Sequence, residues 1–256
     1  VTAIKLASVN IERSNHLERV VAFLRGHQPD VLCLQEVCAR DLPLFERELG
    51  QPGLYAPMTR HPAETEPAEM GVAVFARAPL GQPAAHYYVG NGQPVPVIRQ
   101  GPGADGKFDV DADTIHRVLV CATVGGFRIA TTHLTWTQCG ASTPGQLHDA
   151  GIMLKYAEAE ATEHGGLVLC GDFNAPRGRE TFSKIAEHFK DGIPPHYKCS
   201  LDLTLHRVRH NPAEAVRVGT LMVDGLFHTG NYHVADVELS SGVSDHLAVT
   251  ATLSKA

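Results

Sequence analysis

No stretch of the 256-residue chain is apolar for long enough to cross a bilayer. Its apolar runs, such as Leu167 to Cys170 and Val118 to Ala122, fall far short of the roughly 20 residues that a spanning helix requires. A basic surplus is missing too: 22 Lys and Arg stand against 28 Asp and Glu, a net charge of −6. That balance argues against a protein that grips long nucleic acid through a broad basic surface, although a local basic site stays compatible with it. Aromatic side chains are scarce, at 6% with one tryptophan, Trp136, which leaves few platforms for stacking bases. Val1 to Val9 lack the charged start and apolar block of a secretion signal and alternate like a strand. The six cysteines, Cys33, Cys38, Cys121, Cys139, Cys170 and Cys199, show no paired metal-ligand spacing. Reduced thiols in a cytoplasmic protein are the expectation, with Cys33, Cys121 and Cys170 as small core residues.

What is present fits an ordinary globular chain, with 43% hydrophobic and 20% charged residues. One domain over residues 1–256, and a monomer, are the default expectations. Runs rich in Val, Ile, Leu and Thr predict strands at Ala3 to Asn10, Asp30 to Gln35, Gly71 to Ala76, Ile115 to Thr123, Phe127 to His133, Leu167 to Gly171, Met222 to Phe227, Tyr232 to Leu239 and Leu247 to Leu253. Apolar periodicity predicts helices at Asn15 to Arg25, Leu42 to Leu49, Gly145 to Glu163 and Arg179 to Phe189, with Gly26 closing the first. Continuous runs such as Val31-Leu32-Cys33-Leu34 imply strands covered on both faces. Two mixed sheets facing each other, with helices on their outer sides, satisfy that pattern. Residues 90–113 are broken by Pro94, Pro96, Pro102, Gly101, Gly103 and Gly106, which predicts a long surface loop near the substrate.

Polar residues recur at the strand ends, each with a structural and a chemical reading. Asn10 can start a turn or face a site. Glu36 leaves an apolar strand as a carboxylate that needs either an ion pair or a metal. His133 ends another strand and can be a satisfied core imidazole or a catalytic one. Asp172 and Asn174, two apart, can face one pocket or form an Asx turn before the next helix. Asp224 lies in an apolar run and needs a partner such as an imidazole. Asp245 and His246 act together only if the backbone bends, and Gly242 and Ser244 allow that. All eight lie within or at the ends of predicted strands, as loops on one edge of a sandwich would place them.

Those segments, Ser8-Val9-Asn10, Leu34-Gln35-Glu36-Val37, Thr132-His133-Leu134, Gly171-Asp172-Phe173-Asn174, Val223-Asp224-Gly225 and Ser244-Asp245-His246, resemble in kind and order the motifs of the endonuclease/exonuclease/phosphatase superfamily. That group includes deoxyribonuclease I, AP endonucleases, neutral sphingomyelinases, inositol polyphosphate 5-phosphatases and tyrosyl-DNA phosphodiesterases. The resemblance implies a four-layer α/β/β/α sandwich and direct phosphoester hydrolysis by in-line attack of water, with no covalent intermediate. It implies that Glu36 binds Mg²⁺ or Mn²⁺, with Asn10 and Asp245 as direct or water-mediated ligands. Asp172 would orient or deprotonate the attacking water, and Asn174 would hold Asp172 or a phosphate oxygen. His246, kept protonated by Asp224, would stabilise phosphoryl charge, while His133 would bind the phosphate or protonate the leaving oxygen.

Departures narrow the substrate. The AP endonuclease branch carries a Tyr-x-Pro-Asn segment where this chain has Thr132-His133-Leu134, so that branch is disfavoured. The hydrophobic hairpin of a membrane-lipid hydrolase is missing. The leading expectation is a phosphodiesterase or nuclease acting on DNA or RNA. The alternatives are hydrolysis of a small or lipid phosphoester and a non-catalytic binding protein. Glu69 is a candidate to orient His133, against a solvent-exposed reading. His206, Arg207, Arg209, His210 and Arg217 form a basic stretch that meets substrate phosphates or is merely solvated.

Overall fold

A strand that is apolar on both faces needs cover on both, and β1 (Ala3–Asn10) and β2 (Val31–Cys38), separated by α1 (Leu17–His27), obtain it at the centre of one sheet. The structure, a computed structural model, describes residues 3–62, 68–103 and 108–256. The chain continues through α2 (Leu42–Leu49), β3 (Leu54–His61), β4 (Ala68–Ala76), β5 (Gly81–Val89), β6 (Gln100–Pro102), β7 (Phe108–Val110), β8 (Arg117–Val124) and β9 (Phe127–His133). Then follow α3 (Pro144–His164), β10 (Val168–Asp172), α4 (Glu180–Ala186), β11 (Lys190–Asp191), α5 (Pro212–Val218), β12 (Asp224–His228), β13 (Tyr232–Ser240) and β14 (Ala248–Lys255).

Two mixed six-stranded sheets result, ordered β13-β14-β1-β2-β4-β3 and β11-β12-β10-β9-β8-β5. Their inner faces meet in one core that includes Leu6, Cys33, Val74, Val120, Ile129, Cys170 and Leu253. The outer face of the first sheet packs on α1 and α2 through Val20, Leu24, Phe45 and Phe75. The outer face of the second packs on α3 and α4 through Leu154, Ala157, Leu169 and Ile185. Helices therefore lie outside both sheets, as the apolar runs require. Under α3 the fully buried Arg128 pairs with Glu160 at 2.5 Å.

The expected elements are present with shifted ends. Gly26 lies inside the last turn of α1, and Gln28, in the left-handed region at φ 48°, closes the helix by donating its N–H to the Leu24 carbonyl. Among the strands that periodicity did not predict, β3 and β5 each lie at one edge of a sheet. Each contains a proline, Pro57 or Pro83, and is partly exposed, a composition that an edge tolerates and a central strand does not. The expected loop at 90–113 contains the β6–β7 hairpin, although part of it, 104–107, lies outside the described residues.

Candidate active site

Strand register assembles the site. In the second sheet Asp172 lies opposite both His133 and Asp224, so three strand termini place their polar residues in one row. In the first sheet β1 runs parallel to β2 with Asn10 opposite Gln35. Glu36 is the extra residue of a bulge between Gln35 and Val37, with φ at 56°. Such a bulge re-aims a side chain that regular pleating would place elsewhere. Glu12, Arg13, Cys139 and Asn174 are also in the left-handed region and line the same cavity, whereas Gln28, Gln82 and Asp236 take that conformation elsewhere. Gly171, at φ 141°, has no room for a Cβ, which would run into the Thr132 carbonyl.

Asp172 is the hub. Its Oδ1 accepts the backbone N–H of Asn174 at 2.9 Å, which is the Asx-turn bond. Its Oδ2 accepts from Asn10 Nδ2 at 3.1 Å and faces Nε2 of His133 at 3.4 Å and of His246 at 3.8 Å. The turn and the site thus use different oxygens of one carboxylate. The same Asn10 amide donates to Glu36 Oε1 at 3.2 Å, while Asn10 Oδ1 accepts from the Glu12 N–H at 3.1 Å. The Asn174 amide donates to the Leu134 carbonyl at 3.0 Å, so Asn174 holds Asp172 through its backbone and fixes the residue after His133 through its side chain.

His246 Nδ1 is 2.8 Å from Asp224 Oδ2. The bend through residues 241–245 brings Asp245 and His246 to the same cavity. Burial opposes a charge on His246, yet Asp224, Asp172 and Asp245 together hold its imidazolium well above the ordinary range. His133 goes the other way: burial, aided by Arg117 and His246 and only partly opposed by Asp172, lowers it to about 4. Its Nδ1 is buried without a hydrogen-bond partner. Glu36 is raised to about 7, by burial first and then by the Asp245 charge. Asp245 is raised as well, chiefly by burial.

Several residues at the site carry no sequence signal. Arg117 is 3% exposed, lines the cavity and donates Nη1 to the His133 carbonyl at 3.1 Å. Ser200 Oγ accepts the N–H groups of Val223 and Asp224 at 3.0 Å each. Asp202 accepts from the Gly242 N–H at 2.7 Å and donates its own N–H to the Asp245 carbonyl at 2.8 Å. The segment around residue 200 therefore pins the loop that carries Asp245 and His246. Arg117 could have been suspected only as a charged residue opening an apolar strand. Ser200 and Asp202 sit in an unremarkable loop sequence.

Glu69, weighed as a partner for His133 against a solvent-exposed reading, is half-buried in β4 opposite Arg60, its field acts on Tyr55 and Tyr87, and no contact with His133 is found among the described residues. Of the basic stretch, His206, Arg207 and Arg217 line the cavity. Arg209 is exposed and donates to the Leu205 carbonyl.

Two opposed sheets with carboxylates, amides and imidazoles converging on one cavity define a hydrolase-like α/β sandwich. The model of the Endonuclease/Exonuclease/phosphatase family matches residues 7–246, and the chain belongs to that family. No curated protein matches it in sequence. Among solved structures it is similar to an endonuclease/exonuclease/phosphatase from Bacteroides vulgatus, at 19% identity and TM-score 0.69 over 100% of both chains. It is similar to the human Nocturnin catalytic domain with bound sulfate, at 20% identity and TM-score 0.66 over 100% of this chain and 94% of that one. It is also similar to the 3′ phosphatase NExo from Neisseria bound to a product DNA hairpin, at 19% identity and TM-score 0.66 over 97% and 98%. The family and the fold make the chain a phosphoesterase-type protein.

Proposed function

We propose that the chain is a Mg²⁺- or Mn²⁺-dependent phosphoester hydrolase that uses water as its nucleophile. The observation that carries this reading is the surrounding of Asp172 Oδ2, an oxygen fixed by an amide and flanked by two imidazoles, one of them paired to a second carboxylate. Asp172 orients a water and accepts its proton as the water attacks in line. His246, protonated and fixed by Asp224, donates Nε2–H to a phosphoryl oxygen as charge builds there. His133, neutral at physiological pH, serves through Nε2, the ring nitrogen that faces Asp172, as a hydrogen-bond donor to the phosphate rather than as the acid for the leaving oxygen. The buried Arg117 guanidinium supplies the fixed positive charge on that side.

Glu36, half-buried, and Asp245, buried, both have raised proton affinity, chiefly through desolvation, with the Asp245 charge adding to the effect on Glu36, and such a pair suits a divalent cation with hard oxygen ligands. They would hold the ion, with Asn10 as a neighbouring group. When bound, the ion supplies Lewis-acid neutralisation of phosphoryl charge. Asn10 then acts chiefly as the link between Glu36 and Asp172.

Nucleic acid is the proposed substrate class. The phosphatase neighbour bound to a DNA hairpin supports it. A second reading, a phosphate on a small molecule, is favoured by the size of the cavity, about 270 Å³, near the lower end of small-ligand pockets. The test is turnover of DNA, RNA, inositol phosphates and sphingomyelin, with Mg²⁺, with Mn²⁺ and in excess chelator. Undiminished hydrolysis in chelator rules out the metal-dependent reading.

A further inference from the structure

The cavity has a second end that the hydrolytic groups leave unused. Phe108, on β7, presents its ring face to Arg207, whose Cζ lies 4.2 Å from the ring centroid. Trp136, three residues after His133, meets Phe108 at 5.6 Å between centroids and 83° between planes. All three line the cavity that also contains Asp172, His246 and Arg117. Arg217 lines it too and contacts Cys139 Sγ and Glu214. In a chain with 6% aromatic residues, the single indole is half-buried at the reaction cavity instead of closing a core.

The Phe108–Arg207 contact joins β7 to the segment carrying residues 207–210 and forms part of one wall of the cavity. Exposed cation–π contacts are weak, and a nucleobase stacked on an aromatic face is a stronger interaction. A base can therefore take the place of the guanidinium on Phe108 or lie against Trp136, leaving Arg207 and Arg217 to meet polar base edges or a neighbouring phosphate. Sugars and inositols offer no π face for this wall.

Resting on the hydrolase reading above, we propose that Phe108, Trp136 and Arg207 form a stacking subsite for a nucleobase. The substrate is then a phosphoester with its base within one nucleotide of the scissile phosphate, either a free nucleotide or a nucleic-acid end.

Trp136 is the chain's only tryptophan, so its fluorescence reports this subsite alone. In Asp172→Asn protein with Mg²⁺, a nucleoside monophosphate and a short end-phosphorylated oligonucleotide should quench it saturably, while glycerol phosphate should not. The relative affinities of the two base-bearing probes distinguish a free nucleotide from a chain end. With active protein, the oligonucleotide should exceed its abasic-end counterpart in kcat/KM by at least about tenfold, equivalent to about 1.4 kcal/mol. Trp136→Leu and, separately, Phe108→Leu should move that ratio towards one, mainly through KM. Equal quenching by glycerol phosphate, or a wild-type ratio near one, overturns the subsite. Saturable, base-dependent quenching without turnover of any phosphoester upholds the subsite and overturns the hydrolase reading instead.

Discussion

Replacing Glu36 by glutamine should make the metal-free protein more stable while destroying its function. In the folded chain the Glu36 carboxyl moves from 4.5 to about 7, through burial and then the Asp245 charge, against the opposing pull of Asn10, His246 and Arg13. A displacement of that size disfavours the anion by roughly 3 kcal/mol relative to the unfolded chain. Because the side chain is partly open to the cavity, about 2 kcal/mol is the figure to test. The folded state keeps a proton that the unfolded chain has released, so stability falls as pH rises from about 4.5 to 7. Glutamine keeps the shape and an oxygen for the Asn10 amide, and has nothing to ionise. In chelator near pH 8 the variant should melt about 4–8 °C above wild type, and the difference should close near pH 4. Mg²⁺ or Mn²⁺ should raise the wild-type melting temperature and leave the variant unmoved. A variant that melts lower than wild type near pH 8 would show that Glu36 is held by a favourable ion pair, and the metal reading of that carboxylate would fail.

Asp224→Asn removes the first of the charges that hold His246 protonated against burial, leaving only Asp172 and Asp245, so the imidazolium now held above the ordinary range is lost at lower pH. Turnover near neutrality should drop about 10²–10⁴-fold, with the alkaline limb of the pH–rate profile displaced downward. An unmoved limb refutes the assignment. Arg117→Met should cost about a hundredfold in kcat, and Arg117→Lys should recover part of it. Equal loss in both would indicate that the contact with the His133 carbonyl matters more than the charge. Glu160→Ala strands the buried Arg128 and should cost about 3–5 kcal/mol in denaturant melts, while active-site titration finds normal turnover per folded molecule. Gly171→Ala forces the new Cβ against the Thr132 carbonyl at a left-handed position, so activity and stability should fall together.

The central strands were legible because their residues are apolar on both faces, and the site residues because each interrupts such a run at its end. Asn10, Glu36, His133, Asp172, Asn174, Asp224, Asp245 and His246 all face one cavity or its supporting bonds. The edge strands β3 and β5 were not legible, since a partly exposed strand with a proline has neither alternation nor a continuous apolar run. Local spacing also could not show which oxygen of Asp172 makes the turn and which faces the histidines. Arg117, Ser200 and Asp202 gain their importance from contacts across 16 to 43 residues of chain, a separation at which no local pattern exists. His133 shows a different limit: its position was readable, but its neutrality follows from burial beside Arg117.

The Asn10 side chain touches Glu36 in one sheet and Asp172 in the other, and among the described residues no backbone hydrogen-bond ladder links those sheets. Their relative alignment rests on the packed core between them and on a few cross-links, such as the His116 N–H donated to the Met58 carbonyl and Gln35 Nε2 donated to Thr131 Oγ1, each at 2.9 Å, and a close-packed interior passes small changes of volume on as strain. Turnover therefore works as a vernier on that alignment. Substitutions at Cys33 or Cys170, deep between the sheets, should register in catalytic rate before they register in melting temperature.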